Sequence, residues 1–522
     1  MRVRRVIAVW AAKIISTACR LSGRQGVTFA GKVALRIDPD ILKDLASQVR
    51  EKIFVVCGTN GKTTTNNLLC SAIEREKSPS QTVRDRKGCK VVCNHTGSNM
   101  LAGVTAAFVL AAKNNGNLDA DYACIEIDEA STLRTFPHFK PDYMVLTNLF
   151  RDQLDRYGEI DITMDMLNRA IQMAPDMKII VNADDALSTY LAMESGHEYI
   201  TYGITERVFS EQEQGEQHEI REGRFCKKCG TRLDYEFYHY SQIGKYNCPN
   251  CDFTRPEPDY EASHIDMSKG LAFDIKEKES EIISAAGTSG EHGSEMEATF
   301  DENNGKNKIR PVFADYRGFY NIYNILAAYA AARCAGLKME GFDQVLREFN
   351  PQNGRMEHFH IGNTDVILNL AKNPAGFNQN ISAVMEDKKE KDIIIVINDN
   401  AQDGTDISWL WDVDFDRFGK KKNLMKTDAA KLNTSIVKKN DSSENNSKAE
   451  DGLGEGIRSI TVSGIRCQDM QLRMKYVDIP CERIGDVKTA IEKRLADGCG
   501  NLYVLVNYTA LFSTRNILKE MI

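Results

Sequence analysis

The chain has no excess of positive charge. Its 67 lysines and arginines stand against 74 aspartates and glutamates in 522 residues, for a net charge of −7. A protein that holds nucleic acid through phosphates needs a basic face, so this balance argues against a nucleic-acid partner. An apolar run of bilayer-crossing length is also missing. The nearest approach is Val6-Ile7-Ala8-Val9-Trp10-Ala11-Ala12 behind Met1-Arg2-Val3-Arg4-Arg5. Lys13 interrupts it, and Arg20 and Arg24 follow. It reads as a basic amphipathic helix, for which two positions stay open: docked on the protein itself, the favoured reading, or touching a membrane surface. No internal repeat of solenoid length is found. The fourteen cysteines are dispersed and four have metal spacing, which favours a reducing, cytoplasmic setting over a disulfide framework.

A chain of this length divides into about three domains. Apolar strand-like runs at 53–57, 122–127, 143–147, 179–182, 393–397, 460–463 and 502–506 alternate with helical stretches. That rhythm predicts α/β domains with parallel sheets. The alanine-rich stretch at 327–332 and the turn Asn350-Pro351-Gln352-Asn353-Gly354 separate the two groups of strands, giving domains at 47–345 and 346–522 after an amino-terminal helical segment at 1–46. Polar, aliphatic-poor stretches at 287–308 and 420–456 read as disordered surface insertions.

Directly after the first run comes Gly58-Thr59-Asn60-Gly61-Lys62-Thr63-Thr64-Thr65, the setting of a phosphate-binding loop. Its glycines permit a tight turn that aims backbone amides and a helix N-terminus at phosphates. Lys62 neutralises phosphate oxygens and Thr63 ligates magnesium. The general pattern has a glycine where this chain has Val56, so the loop is a shortened form. Gly58, Thr59, Asn60, Gly61, Lys62, Thr63 and Thr64 are thus the expected ATP contacts. Glu126, in the acidic run Glu126-Ile127-Asp128-Glu129 after the second strand, sits where open α/β sheets bind ligands and is a second magnesium candidate. Solvated loop acids are the alternative.

Cys226-Lys227-Lys228-Cys229 and Cys248-Pro249-Asn250-Cys251 are two CxxC knuckles eighteen residues apart with aromatics between them. Cys226, Cys229, Cys248 and Cys251 can form a closed tetrahedral zinc shell with no place for a reactive water, hence a structural zinc ribbon at 222–256. A redox dithiol pair is the weaker alternative.

The loop at 58–65, Asn148-Leu149-Phe150-Arg151-Asp152-Gln153-Leu154-Asp155, Asn182-Ala183-Asp184-Asp185, Gly318-Phe319-Tyr320-Asn321, Gly354-Arg355-Met356-Glu357 and Asn369-Leu370-Ala371-Lys372-Asn373-Pro374 occur in one chain. In that order they resemble the Mur ligases over nearly its whole length. The resemblance implies a central ATPase domain carrying the ribbon, a carboxyl-terminal Rossmann-like α/β domain, and activation of a carboxylate as an acyl phosphate that an amine attacks. It also places Asn321, Arg355 and Asn369 near nucleotide or phosphate. Gln153 and Lys372 stand where the amino-acid-adding members carry histidine. With the ribbon, the basic helix and the segment 398–409, these departures are similar to the synthetase (MurT-type) subunits of lipid II isoglutaminyl synthases. That branch implies ATP-dependent amidation of the α-carboxylate of D-glutamate in the lipid II stem peptide to D-isoglutamine at the inner face of the plasma membrane. The chain has no second α/β domain with a glycine-flanked nucleophilic cysteine, so ammonia would come from a separate GatD-like glutamine amidotransferase in a heterodimer. There the aspartate matching Asp406 completes the partner's Cys-His pair; an Asx turn or helix cap is the plainer reading of that residue. Another Mur-like ligase, adding an amino acid or glutamates to a folate-like acceptor, and a non-catalytic ATP-binding scaffold are the alternatives.

Overall fold

The structure is a computed structural model that describes residues 2–21, 26–77, 88–95, 97–151, 160–209, 222–278, 307–315, 318–349, 354–400, 406–420 and 452–522. Asp152, Gln153, Leu154 and Asp155, and nearly all of the expected insertions at 287–308 and 420–456, lie outside them. The chain forms two units, Met1–Asn353 and Gly354–Ile522.

The first unit is built on nine strands: β1 (Ile53–Cys57), β2 (Val91–Cys93), β3 (Tyr122–Glu126), β4 (Tyr143–Leu146), β5 (Lys178–Asn182), β6 (Tyr199–Ile204) and, after a separate hairpin of β7 (Asp234–Tyr240) and β8 (Ile243–Asn247), β9 (Tyr260–Asp266), β10 (Leu271–Lys278) and β11 (Asn307–Ala314). Their order is β11-β10-β9-β6-β5-β4-β1-β3-β2. The strands from β2 to β9 pair in parallel, whereas β9-β10-β11 is antiparallel. A purely parallel sheet is therefore not what forms here. β10 alternates buried and half-buried positions, the signature of a strand covered on one face. β1, β3 and β4 are buried along their whole lengths, as central parallel strands must be.

The chain runs from β1 to the edge, back to β3 beside β1, and then to β4 on its other side. β1 thus marks the point where strand order reverses, and the loops after β1, β3 and β4 converge at the carboxyl ends of their strands, where such sheets bind ligands.

The amino-terminal helix Arg2–Leu21 packs through Ala8, Val9 and Ala12 into the core that covers this sheet. Arg5 pairs with Asp44, and Lys13 Nζ donates to Ala112 O at 2.5 Å. No described helix is long and apolar enough to cross a membrane.

The second unit has the strands β12 (Glu357–Ile361), β13 (Thr364–Leu370), β14 (Lys391–Val396), β15 (Ile457–Ser463), β16 (Glu482–Arg483) and β17 (Asn501–Val506), ordered β12-β13-β17-β14-β15-β16. All neighbours pair in parallel except β12 with β13. Apolar cores cover both faces. Lys420 N donates to Gly452 O at 3.0 Å.

Candidate functional site

β1 delivers the glycine-bearing loop to the end of the sheet. Gly58 has φ +120° and Gly61 has φ +86°; a Cβ at the first would lie 2.4 Å from Thr147 Oγ1, and at the second 2.2 Å from Asn324 Oδ1. Both positions need glycine for conformation and for space. The loop is fastened to the end of β4: Thr59 N donates to Asn148 O at 2.8 Å, Asn60 N to Asn148 Oδ1 at 2.9 Å, and Thr147 Oγ1 to Asn60 O at 2.7 Å. The helix Lys62–Arg75 begins at once. A helix's first turn leaves its amides without intrahelical partners, so those of Lys62, Thr63 and Thr64 are available to an anion.

Lys62 is buried, with its amine bonded to Gly58 O and 3.3 Å from Glu129 Oε1. Burial alone would lower its pKa, but the surrounding Glu129, Asp128 and Glu126 outweigh that and raise it above the usual lysine range. The amine is firmly cationic. Thr63 Oγ1 donates to Glu126 Oε2 at 2.7 Å, and Asn99 Nδ2 donates to Glu126 Oε1 at 3.0 Å. Asn94 braces the Glu126 backbone in both directions, accepting from Glu126 N at 2.9 Å and donating to Glu126 O at 2.8 Å. Thr63 and Glu126, named separately from sequence as magnesium ligands, are thus adjacent. A hydroxyl and a carboxylate beside a phosphate-binding loop are the hard oxygen donors that magnesium takes, with water and phosphate completing its shell.

Asn321 lies one step from the loop: Asn324 Nδ2 donates to Asn321 Oδ1 at 3.0 Å, and Asn324 is the residue that crowds Gly61. In the turn after β5, Asp184 accepts from Arg255 Nε at 2.6 Å and Tyr323 Oη at 2.6 Å. Asp185 accepts from Leu149 N at 2.8 Å and Gln242 Nε2 at 2.9 Å. These aspartates hold the architecture under the site.

Arg355 and Asn369 belong to the second unit. Arg355 is half-buried. Asn369 is buried, accepting from Met356 N at 3.2 Å and donating to Asn380 Oδ1 at 2.7 Å, and so ties the turn before β12 to the helix Pro374–Glu386. The exposed Asp406 accepts from Ser408 N at 2.8 Å and Ser408 Oγ at 2.9 Å. This is the Asx-type turn weighed for it from sequence, and it holds the carboxylate in a defined orientation at the surface. Residues 401–405 before it lie outside the described ones.

The ligand atoms of Cys226, Cys229, Cys248 and Cys251 all lie within 4.8 Å of one another. Two sulfur pairs are closest, Cys226 to Cys251 at 3.6 Å and Cys229 to Cys248 at 3.4 Å. Four sulfurs at tetrahedral bond lengths from zinc stand about 3.8 Å apart, so this cluster fits that ion. A disulfide requires about 2.0 Å. The hairpin of β7 and β8 lies between the knuckles, and Cys226 and Cys248 pack with Leu233, Tyr246, Phe253 and Ala186 in a small core.

Residues 56–252 match the family model for the Mur ligase middle domain, and residues 370–442 and 445–511 match the MurT ligase C-terminal model. The lipid II isoglutaminyl synthase (glutamine-hydrolyzing) subunit MurT of Staphylococcus aureus strain COL is 31% identical over 511 residues, 98% of this chain and 96% of the relative. The chain belongs to the MurT family. The MurT subunit of Streptococcus pneumoniae strain R6 is 29% identical, with coverage of 95% of this chain and 93% of the relative. Among solved structures, a pseudomurein peptide ligase type C from Methanothermus fervidus superposes with a TM-score of 0.60 at 19% identity, covering 92% of this chain and 80% of that one. The fold is therefore that of the Mur ligases, and membership of that family implies ATP and magnesium.

Three contributions to the site carry no motif in the sequence. Glu129 stood in the acidic run with no role, yet it is the carboxylate that faces Lys62. Asn94 and Asn99, which hold Glu126, follow β2, a strand of three residues too short to notice. Their only linear signal is the polar, glycine-bearing stretch Asn94-His95-Thr96-Gly97-Ser98-Asn99 between an apolar run and a helix.

Proposed function

We propose that this chain is the synthetase subunit of a lipid II isoglutaminyl synthase. It uses ATP to convert the α-carboxylate of D-glutamate in the lipid II stem peptide to a carboxamide, with ammonia made by a glutaminase on a separate chain. The observation that carries the reading is a match to MurT relatives that runs through both units, combined with the Lys62, Thr63 and Glu126 arrangement at the end of β1.

A carboxylate resists ammonia because oxide would have to leave. Transfer of the γ-phosphoryl group to a carboxylate oxygen gives an acyl phosphate, and attack by ammonia then releases phosphate and leaves the amide. Lys62 and the first-turn amides stabilise charge on the phosphoryl oxygens. Thr63 and Glu126 would hold a magnesium ion, which would supply further neutralisation there. Asn321, Arg355 and Asn369 are assigned to nucleotide or phosphate positioning. The four ribbon cysteines are assigned to a structural zinc ion. The exposed Asp406 is assigned to the glutaminase interface, where it orients the partner's histidine.

The test separates the nitrogen sources. Wild-type chain with Mg-ATP should amidate lipid II from ammonium alone, and from glutamine only when the glutaminase is added. Asp406→Asn should lose the glutamine-dependent reaction and keep the ammonium-dependent one, measured by mass spectrometry of lipid II. Equal loss of both would remove Asp406 from the interface, and failure of wild type with either source would remove the proposed activity.

A further inference from the structure

We propose that Cys70, Cys93 and His95 form a second metal site, for a soft cation of the zinc class, beside the phosphate-binding loop. Their ligand atoms lie within 4.8 Å of one another. The donor set of two thiolates and one imidazole is the mixture that zinc and its soft relatives select over magnesium or calcium.

Three parts of the fold supply these ligands. Cys70 is buried on the helix Lys62–Arg75, Cys93 ends β2, and His95 follows it on the surface. Helix and strand are set by the core, so two donors are pre-positioned and the third closes from solvent.

The surrounding groups suit a loaded site. Asn66 Nδ2 donates to Cys93 Sγ at 3.2 Å, the kind of hydrogen bond that stabilises a metal-bound thiolate. His95 Nδ1 lies 3.2 Å from Asn67 Oδ1. With the ring proton on Nδ1 and donated to that oxygen, Nε2 keeps the lone pair for a metal, the usual outer-shell arrangement for a ligating histidine. Three protein ligands with an exposed histidine leave a fourth position open to water or a small ligand. The ribbon, with four cysteines, is closed.

The site is joined to the reaction centre. Asn94, between two of the ligands, holds the backbone of Glu126 through bonds of 2.9 Å and 2.8 Å, and Asn66 Nδ2 reaches Asn94 Oδ1 at 3.4 Å. An ion on Cys93 and His95 would therefore brace the segment that positions the proposed magnesium ligand.

The test uses the full chain, freed of metal by a chelator under reducing conditions and titrated with Cd2+ alone while thiolate charge-transfer absorption is followed. Wild type should take up two equivalents. Cys93→Ser should take up one. His95→Gln, at an exposed position that leaves the fold intact, should weaken one of the two equivalents by about tenfold or more. Cys248→Ser should remove the other equivalent and leave the His95-dependent one, so failure of the ribbon and failure of this site give different results. Uptake unchanged by both Cys93→Ser and His95→Gln, or a single equivalent abolished by Cys248→Ser, would overturn the proposal.

Discussion

Lys62 shows how much of the site a single residue can carry. Its cation is buried against Glu129 at 3.3 Å, so removing it has two separable consequences. Lys62→Met takes away the charge that meets the transferring phosphoryl group, and amidation should fall by about 100-fold or more. It also leaves Glu129 buried without its counter-charge, which costs about 3–5 kcal/mol of stability. The double variant Lys62→Met with Glu129→Gln should recover most of the thermal midpoint and none of the activity. Recovery of activity as well would mean that Lys62 serves the fold alone. At this scale the sequence was most informative where chemistry demands contiguous residues. Gly58, Gly61, Lys62 and Thr63 are legible because turn, charge and hydroxyl must follow one another along the chain. Glu129, Asn94 and Asn99 reach the same point from other loops, and only the order of β1, β3 and β2 in the sheet brings them there. The turn at Asp406 was legible because an aspartate two residues before a serine builds it, and it forms whether or not a partner uses the carboxylate.

Among the elements, the hairpin segment that carries the four clustered cysteines has the clearest physical consequence. Its hairpin places Gln242 on Asp185, and Arg255, just after the second knuckle, on Asp184. A segment this small lacks the core to order itself, so in this account metal binding provides the ordering free energy. Cys248→Ser should release one zinc per chain and expose the strands Asp234–Tyr240 and Ile243–Asn247 to amide hydrogen exchange. Continued protection without metal would show that packing alone holds the hairpin. The amino-terminal helix makes a second case. Its buried face is Ala8, Val9 and Ala12, yet Val3, Ile7, Trp10, Ile14 and Leu21 form an outward stripe at helical spacing, 48–85% exposed, with Arg4 and Arg20 also exposed. An apolar stripe beside cations suits an anionic lipid surface, where a lipid-linked acceptor would reside. The chain should co-sediment with vesicles containing anionic phospholipid, and Ile7→Asp with Ile14→Asp should reduce that several-fold. No binding by wild type would leave the helix a purely internal support. Central strands such as Ile53–Cys57 were legible because burial on both faces makes them continuous apolar runs. Leu271–Lys278 and Thr364–Leu370 were not, because polar residues interrupt their apolar pattern; Val91–Cys93 offers too few residues to register.

For the molecule as a whole, the proposed reaction assigns a different chemical demand to each unit. The first gathers a phosphate-binding loop, a buried lysine and a magnesium-competent pair at the reversal point of a nine-stranded sheet. The second presents Asp406 on a smaller α/β unit whose sequence matches the MurT carboxyl-terminal model. The α/β class and the family were readable because several motifs recur in fixed order. The antiparallel edge of the first sheet was not, since strands covered on one face alternate polar with apolar residues and lack the continuous apolar runs that mark buried ones. The central claim is that ATP activates a carboxylate of lipid II for attack by ammonia. Lipid II carrying oxygen-18 in the D-glutamate α-carboxylate, incubated with this chain, Mg-ATP and ammonium, tests it directly. Mass spectrometry should find one labelled oxygen in the released phosphate for each carboxamide formed on D-glutamate. Unlabelled phosphate, or a carboxylate that stays unmodified while ATP is consumed, would contradict the account.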